Sequence, residues 1–103
     1  MRANLPLIHR VQAPSADPIF EFIQNSGPKG KISAYEMYSM FNMGIGFFLW
    51  VKASDVEKVL KIGKKCGIPA FQLGVVEASP DNQKRVIIEN QNIVYEEDTL
   101  QIR

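Results

Sequence analysis

Apolar positions recur along this chain at helical spacing in some stretches and at strand spacing in others. Residues 5–12, L-P-L-I-H-R-V-Q, alternate weakly and predict an extended strand, with Pro6 favouring the edge of a sheet. A-P-S-A-D-P follows as a linker, in which Asp17 is a candidate N-cap and Pro18 suits the first helical position. The helix predicted over 18–25 sets Ile19, Phe22 and Ile23 on one face, and Gly27 ends it. N-S-G-P-K-G-K reads as a solvated, turn-rich loop. The G-x-x-x-x-G-K-[ST] spacing of a phosphate loop and its preceding strand are both missing there. Ser33 and Glu36 form a capping box that opens a second helix over 34–41. Its apolar face is Met37, Met40 and Phe41, with Tyr38 beside it, a stripe that suits core filling.

The most hydrophobic run, I-G-F-F-L-W-V over 45–51, predicts a strand covered on both faces or set centrally in a sheet. Ser54 and Glu57 repeat the capping-box pattern and open a third helix that runs to about Cys66. Val56, Val59, Leu60 and Gly63 lie at helical spacing, and four lysines (58, 61, 64 and 65) take the outer side. Cys66 falls on the last turn of the apolar stripe, which predicts a packed thiol, and Gly67 and Pro69 stop the helix. Two further strands, 70–77 and 84–89, are joined by A-S-P-D-N-Q and read as a hairpin. The short segments I-V-Y and T-L-Q-I-R close the chain. The order β-α-α-β-α-β-β with a terminal β-ribbon indicates an α+β fold with helices packed on a mixed sheet.

Composition narrows the functional classes. With 103 residues, 46% hydrophobic and 22% charged, residues 1–103 are expected to form a single domain with a small core. A net charge of +1 offers no basic field for nucleic acid, and no apolar run is long enough to cross a bilayer. One cysteine and one histidine leave no internal disulfide, no zinc site of Cys and His from this chain alone, and little room for Ser-His-Asp chemistry. A reducing, cytoplasmic setting is the simplest expectation.

Asn42, Gly44 and Gly46 stand at the mouth of the apolar run, where a strand that only fills a core has no need of them. Two readings of these residues remain open. They can form a tight turn from helix to strand, or they can let a ligand approach the backbone while Asn42 offers both a donor and an acceptor. A dinucleotide fingerprint is excluded, because there the glycines follow a strand and precede a helix.

The surrounding motif, E-M-Y-S-M-F-N-M-G-I-G-F over 36–47, resembles the E-M-Y-x-x-F-N-x-G-x-G segment of the aminoimidazole ribonucleotide synthetase family, the phosphoribosylformylglycinamidine cyclo-ligases. The resemblance continues upstream in D-P-I-F-E-F-I-Q-N-S-G and downstream in D-V-E-K-V-L-K-I-G-K-K-C-G, A-F-Q-L-G-V-V-E-A-S and K-R-V-I-I-E. It covers residues 17–89 and, more loosely, the rest to 103. Ser39 and Met40 stand where many members carry Arg-Thr, so no polar contact is carried over to those positions.

The resemblance implies the C-terminal domain of the cyclo-ligase. Asn42, Gly44 and Gly46 would face a substrate cleft, with Phe41 packed behind them. ATP and Mg would belong to an N-terminal ATP-binding domain absent from this chain, so no cofactor is expected in the chain itself. The implied partners are that N-terminal domain and a nucleotide substrate, and uncovered apolar surface makes a homo-oligomer an open possibility. No catalytic residue is assigned, since the capping box accounts for Glu36 and the end of a strand for Glu89. Two alternatives stand beside this one. The first is a domain of another ATP-dependent enzyme of the superfamily, such as formylglycinamidine synthetase or selenophosphate synthetase. The second is a stand-alone α+β ligand-binding or regulatory module.

Overall fold

The structure, a computed structural model, describes residues 5–98. Four strands form one mixed sheet: β1 (Leu7–Val11), β2 (Gly74–Ala78), β3 (Arg85–Ile88) and β4 (Ile93–Glu96), in spatial order β2-β1-β3-β4. Three helices, α1 (Pro18–Asn25), α2 (Ala34–Met40) and α3 (Val56–Lys65), complete the α+β arrangement. The segment T-L-Q-I-R, predicted as part of a terminal ribbon, lies outside the described residues.

β1 is not the edge strand that Pro6 suggested. It pairs antiparallel with β2, with Ile8 opposite Glu77, and parallel with β3, with Ile8 opposite Arg85. Pro6 sits one residue before the ladder begins, so its missing N–H costs the sheet nothing. The predicted hairpin between the later strands is also corrected. β2 and β3 are separated by β1, and the A-S-P-D-N-Q loop spans the gap. Arg85 grips that loop, donating to both carboxylate oxygens of Asp81 at 2.9 and 2.6 Å, which holds the Asp81 carboxyl well below the usual carboxylate range.

The pleat sorts side chains to two faces. Val11, Val86, Ile88, Ile93 and Tyr95 share the face on which α2 lies. Ile88, Ile93 and Tyr95 form the buried cluster, with Val11, Ala13, Ala34, Tyr38 and Val86 packed against it. The Tyr95 hydroxyl donates to the Tyr35 carbonyl, and burial pushes its pKa up to about 12. Met37 on α2 is wholly buried. The Ser33 capping box holds, with Glu36 N donating to Ser33 Oγ at 3.2 Å. Met40 is exposed instead of packed, because α2 packs on the sheet cluster through Ala34 and Tyr38.

Three further expectations are corrected. On α1 the half-buried residues are Phe20, Ile23 and Gln24, while Ile19 and Phe22 face solvent. On α3 the stripe Val56, Val59, Leu60 and Gly63 is the half-buried side as predicted, yet nothing on this helix is fully buried and Cys66 is exposed. Ser54 does not cap α3; it lies in a single 3-10 turn, Ala53–Asp55, with Asp55 at the N-cap position. The other end of α3 follows the sequence. Gly67 adopts φ +71°, Gly67 N donates to Lys64 O and Ile68 N to Gly63 O, the paired bonds of a Schellman motif.

The largest correction concerns 45–51. The run forms no strand, and residues 46–51 make no backbone hydrogen bond among the described residues. Phe47 is 82% exposed and Trp50 66%. β1 pairs along both edges, with β2 and with β3, so the run takes no place beside it. The run instead crosses the α2-bearing face, where Trp50 stands edge-on to His9 at 6.1 Å and tilts against Phe48.

Two outcomes test this arrangement. Met37→Ala should cost about 2–5 kcal/mol in urea unfolding, since no solvent reaches that side chain. Burial lowers the His9 pKa below 6.5, so the stability from neutral His9 is complete above 6.5 and is lost as pH falls through the lower folded value. Emission from Trp50, the chain's one tryptophan, should therefore show a transition with its midpoint below pH 6.5, and His9→Gln should abolish it.

Candidate functional site

Helix α2 ends where Phe41 N donates to Met37 O, and Phe41 turns to an extended conformation. The next four residues close a tight turn: Ile45 N donates to Asn42 O at 3.0 Å, with φ of 52° at Met43 and 94° at Gly44. Positive φ at both central positions is the pattern of a type I′ turn. The Asn42 side chain reinforces it, its Oδ1 accepting from Gly44 N at 2.9 Å. Glycine suits the second position; methionine at the first is uncommon and carries backbone strain. Burial holds Met43 there, at 8% exposure.

The turn leans on the start of α1. A Cβ built on Gly44 would lie 3.6 Å from Asp17 Oδ2 and 3.8 Å from the Phe20 ring. Phe41 meets Phe20 edge-on, with ring centroids 6.4 Å apart. Between the linker before α1, the two helices and Met43 runs a groove of about 360 Å³, lined among others by Asp17, Phe20, Gln24, Lys31, Tyr38 and Met43. Burial raises the Tyr38 pKa above its ordinary value, so the phenol stays protonated and able to donate. The linker is fixed from the residues that follow β3, the neighbour of β1. Asn90 accepts from Ala13 N at 2.8 Å and donates to Ala13 O at 2.6 Å, mimicking a ladder pair, and Gln12 Nε2 donates to Glu89 at 2.7 Å.

Of the residues singled out from sequence, the structure brings Phe41, Asn42 and Gly44 together against α1. Gly46 stands apart in open space, and a Cβ placed on it would meet nothing within 4 Å. Sequence reading missed Met43, Asp17 and Tyr38 as neighbours of the turn. Asp17, expected as a helix cap, makes no side-chain cap bond. Among the described residues no three His, Cys, Asp or Glu side chains converge as metal ligands.

Residues 10–87 match the family described as AIR synthase related protein, C-terminal domain. The chain belongs to this family. Its relatives include the phosphoribosylformylglycinamidine cyclo-ligase of Methanococcus maripaludis strain C6, 35% identical over 97 residues, 88% of this chain and 27% of that enzyme. The enzymes of the same name from Staphylococcus carnosus and Bacillus pumilus are 38% identical over 71 residues and 47% over 60, covering 69% and 58% of this chain. The chain thus spans about a quarter or less of the length of these relatives, 16–27%. No solved structure matches it. No helix among the described residues is long and apolar enough to cross a membrane.

Because the space beside Gly44 would admit a methyl group, Gly44→Ala isolates the conformational cost of φ +94°. It should destabilise the chain by about 1–2 kcal/mol, read by denaturant unfolding, and should speed exchange of the Gly44 amide.

Proposed function

We propose that this chain forms the C-terminal-domain wall of a phosphoribosylformylglycinamidine cyclo-ligase site. The whole enzyme would close the imidazole ring of formylglycinamidine ribonucleotide to give aminoimidazole ribonucleotide, at the expense of ATP in purine biosynthesis. ATP and Mg would be held by an N-terminal ATP-binding portion outside this chain. The names of the relatives favour this reading over the other superfamily enzymes and over a stand-alone module.

The observation that carries the reading is the geometry of the 42–46 turn. Gly44 N–H and Ile45 N–H are spent inside the turn. Asn42 Nδ2 and Gly46 N–H make no hydrogen bond among the described residues, and no side chain crowds Gly46. Asn42, tied into the 42–45 turn, offers its Nδ2, and Gly46 N–H follows just past the turn in open space; held donors of this kind can orient a polar or anionic substrate group, which is how positioning lowers a barrier. In this reading Asn42 and Gly46 bind, Gly44 and Met43 shape the turn, and Phe41 anchors it on Phe20. None of these residues supplies a proton to the reaction. The acid–base and phosphoryl chemistry would fall to the other portion.

Complementation tests the assignment. The purified chain alone should show no ATP-dependent ring closure. Mixed with the N-terminal portion of a cyclo-ligase relative, it should restore turnover, and Gly46→Val should cut the restored rate roughly 10²-fold while leaving circular dichroism unchanged. Turnover by the chain alone, or an unaffected Gly46→Val, would overturn it.

A further inference from the structure

Each chain carries a free sheet edge that is complementary to itself. Leu73 O accepts from Gln12 N and Ser79 N donates to Pro6 O, both at 3.0 Å. With the β1–β2 register, these bonds turn the backbone groups of 73, 75, 77 and 79 toward β1. Gly74, Val76 and Ala78 therefore turn their N–H and C=O outward, on an edge that no other described strand covers. All five β2 residues are exposed.

We propose that β2 pairs antiparallel with β2 of a second copy across a two-fold axis at Val76. Gly74 then faces Ala78 of the copy, Val76 faces Val76, and Ala78 faces Gly74. These are the three positions whose polar groups point outward, so each pair can exchange both of its hydrogen bonds. The four-stranded sheets join into one of eight. Glu77, already paired with Arg10 at 3.4 Å, falls opposite Val75 and meets no like charge. A closed isologous contact of this kind ends at the dimer.

Two observations favour a second copy as the occupant. The other edge, β4, carries Glu96, paired with Arg85, and is followed by Glu97, paired with Lys84, and by Asp98; charged side chains bordering an edge discourage pairing, whereas β2 has no lysine, no proline and one acid, Glu77. Next to β2 lies unused apolar surface. Trp50 stands edge-on to His9, whose register partner is the half-exposed Val76, so the 47–51 run, exposed among the described residues, lies near the axis from both copies.

Light scattering and sedimentation on the full chain should show a reversible monomer–dimer equilibrium that stops at twice 11.6 kDa. Hydrogen exchange should show protection of the Gly74, Val76 and Ala78 amides at high concentration, lost on dilution. Val76→Lys, which sets two ammonium groups face to face on the axis, should weaken the dimer at least tenfold, while Val94→Lys on β4 should leave it unchanged. A strict monomer, aggregation that grows without limit, or equal effects of the two substitutions would overturn the proposal. So would protection of the three amides that appears only when the N-terminal portion of a cyclo-ligase is added, which would assign the edge to that partner. The exchange measurement needs no substitution, so a misfolded Val76→Lys chain leaves the proposal open to refutation.

Discussion

Both edges of β1 are occupied, and the rest of the molecule follows from that. A strand has two edges, and here β2 takes one and β3 the other. The parallel β1–β3 pairing sends the chain through both α1 and α2, and through the 45–51 run and α3, before β3 is made, so those elements must lie over the sheet or beside it. Helix α2 takes the covered face, where Ala34 and Tyr38 pack against the Ile88, Ile93 and Tyr95 cluster. The most hydrophobic run in the chain is left without a ladder.

The same constraint explains how the candidate site is braced. The linker after β1 must leave the sheet at Ala13 and reach α1 within a few residues. Asn90 fixes its departure with two hydrogen bonds that stand in for ladder bonds. That places Asp17 and Phe20 beneath the turn at 42–45, and the turn in turn uses a strained Met43 held by its own burial. Strain of this sort persists only where neighbours over-determine the backbone. Here they are the Asn42 side chain on one side and the Phe20–Phe41 contact on the other.

What was legible in the sequence was local. The Ser33 capping box, the Gly67 stop, Pro18 at the head of α1 and the half-buried stripe of α3 each depend on residues within a turn or two of one another, and each is present. The α+β class was legible for the same reason. What was not legible was pairing. Hydrophobicity at 45–51 reported that the segment seeks burial, but not whether a partner strand is available. Pro6 reported a missing donor, but its effect depends on whether the ladder begins before or after it. At the site, Asn42 and Gly44 were visible as turn chemistry, since only a short list of residues tolerates those angles. Asp17 and Tyr38 were invisible there, because nothing in their own neighbourhood marks them as neighbours of residue 44.

The two surfaces left over by this topology are physically connected. The 42–45 turn leads through Gly46 into the 47–51 run, which has no backbone partner of its own among the described residues. Residues without backbone hydrogen bonds and with exposed side chains sit at the low end of local stability. Any surface that covers Phe47, Leu49 and Trp50 therefore fixes the residue on the far side of Gly46, and narrows the range of the Gly46 amide itself. Ordering the run lowers the entropy still to be lost when a ligand meets that amide, which favours binding without any change in the turn's shape. With the turn in the proposed binding role, the apolar run beside it would thus be a coupling element as well as a defect of packing.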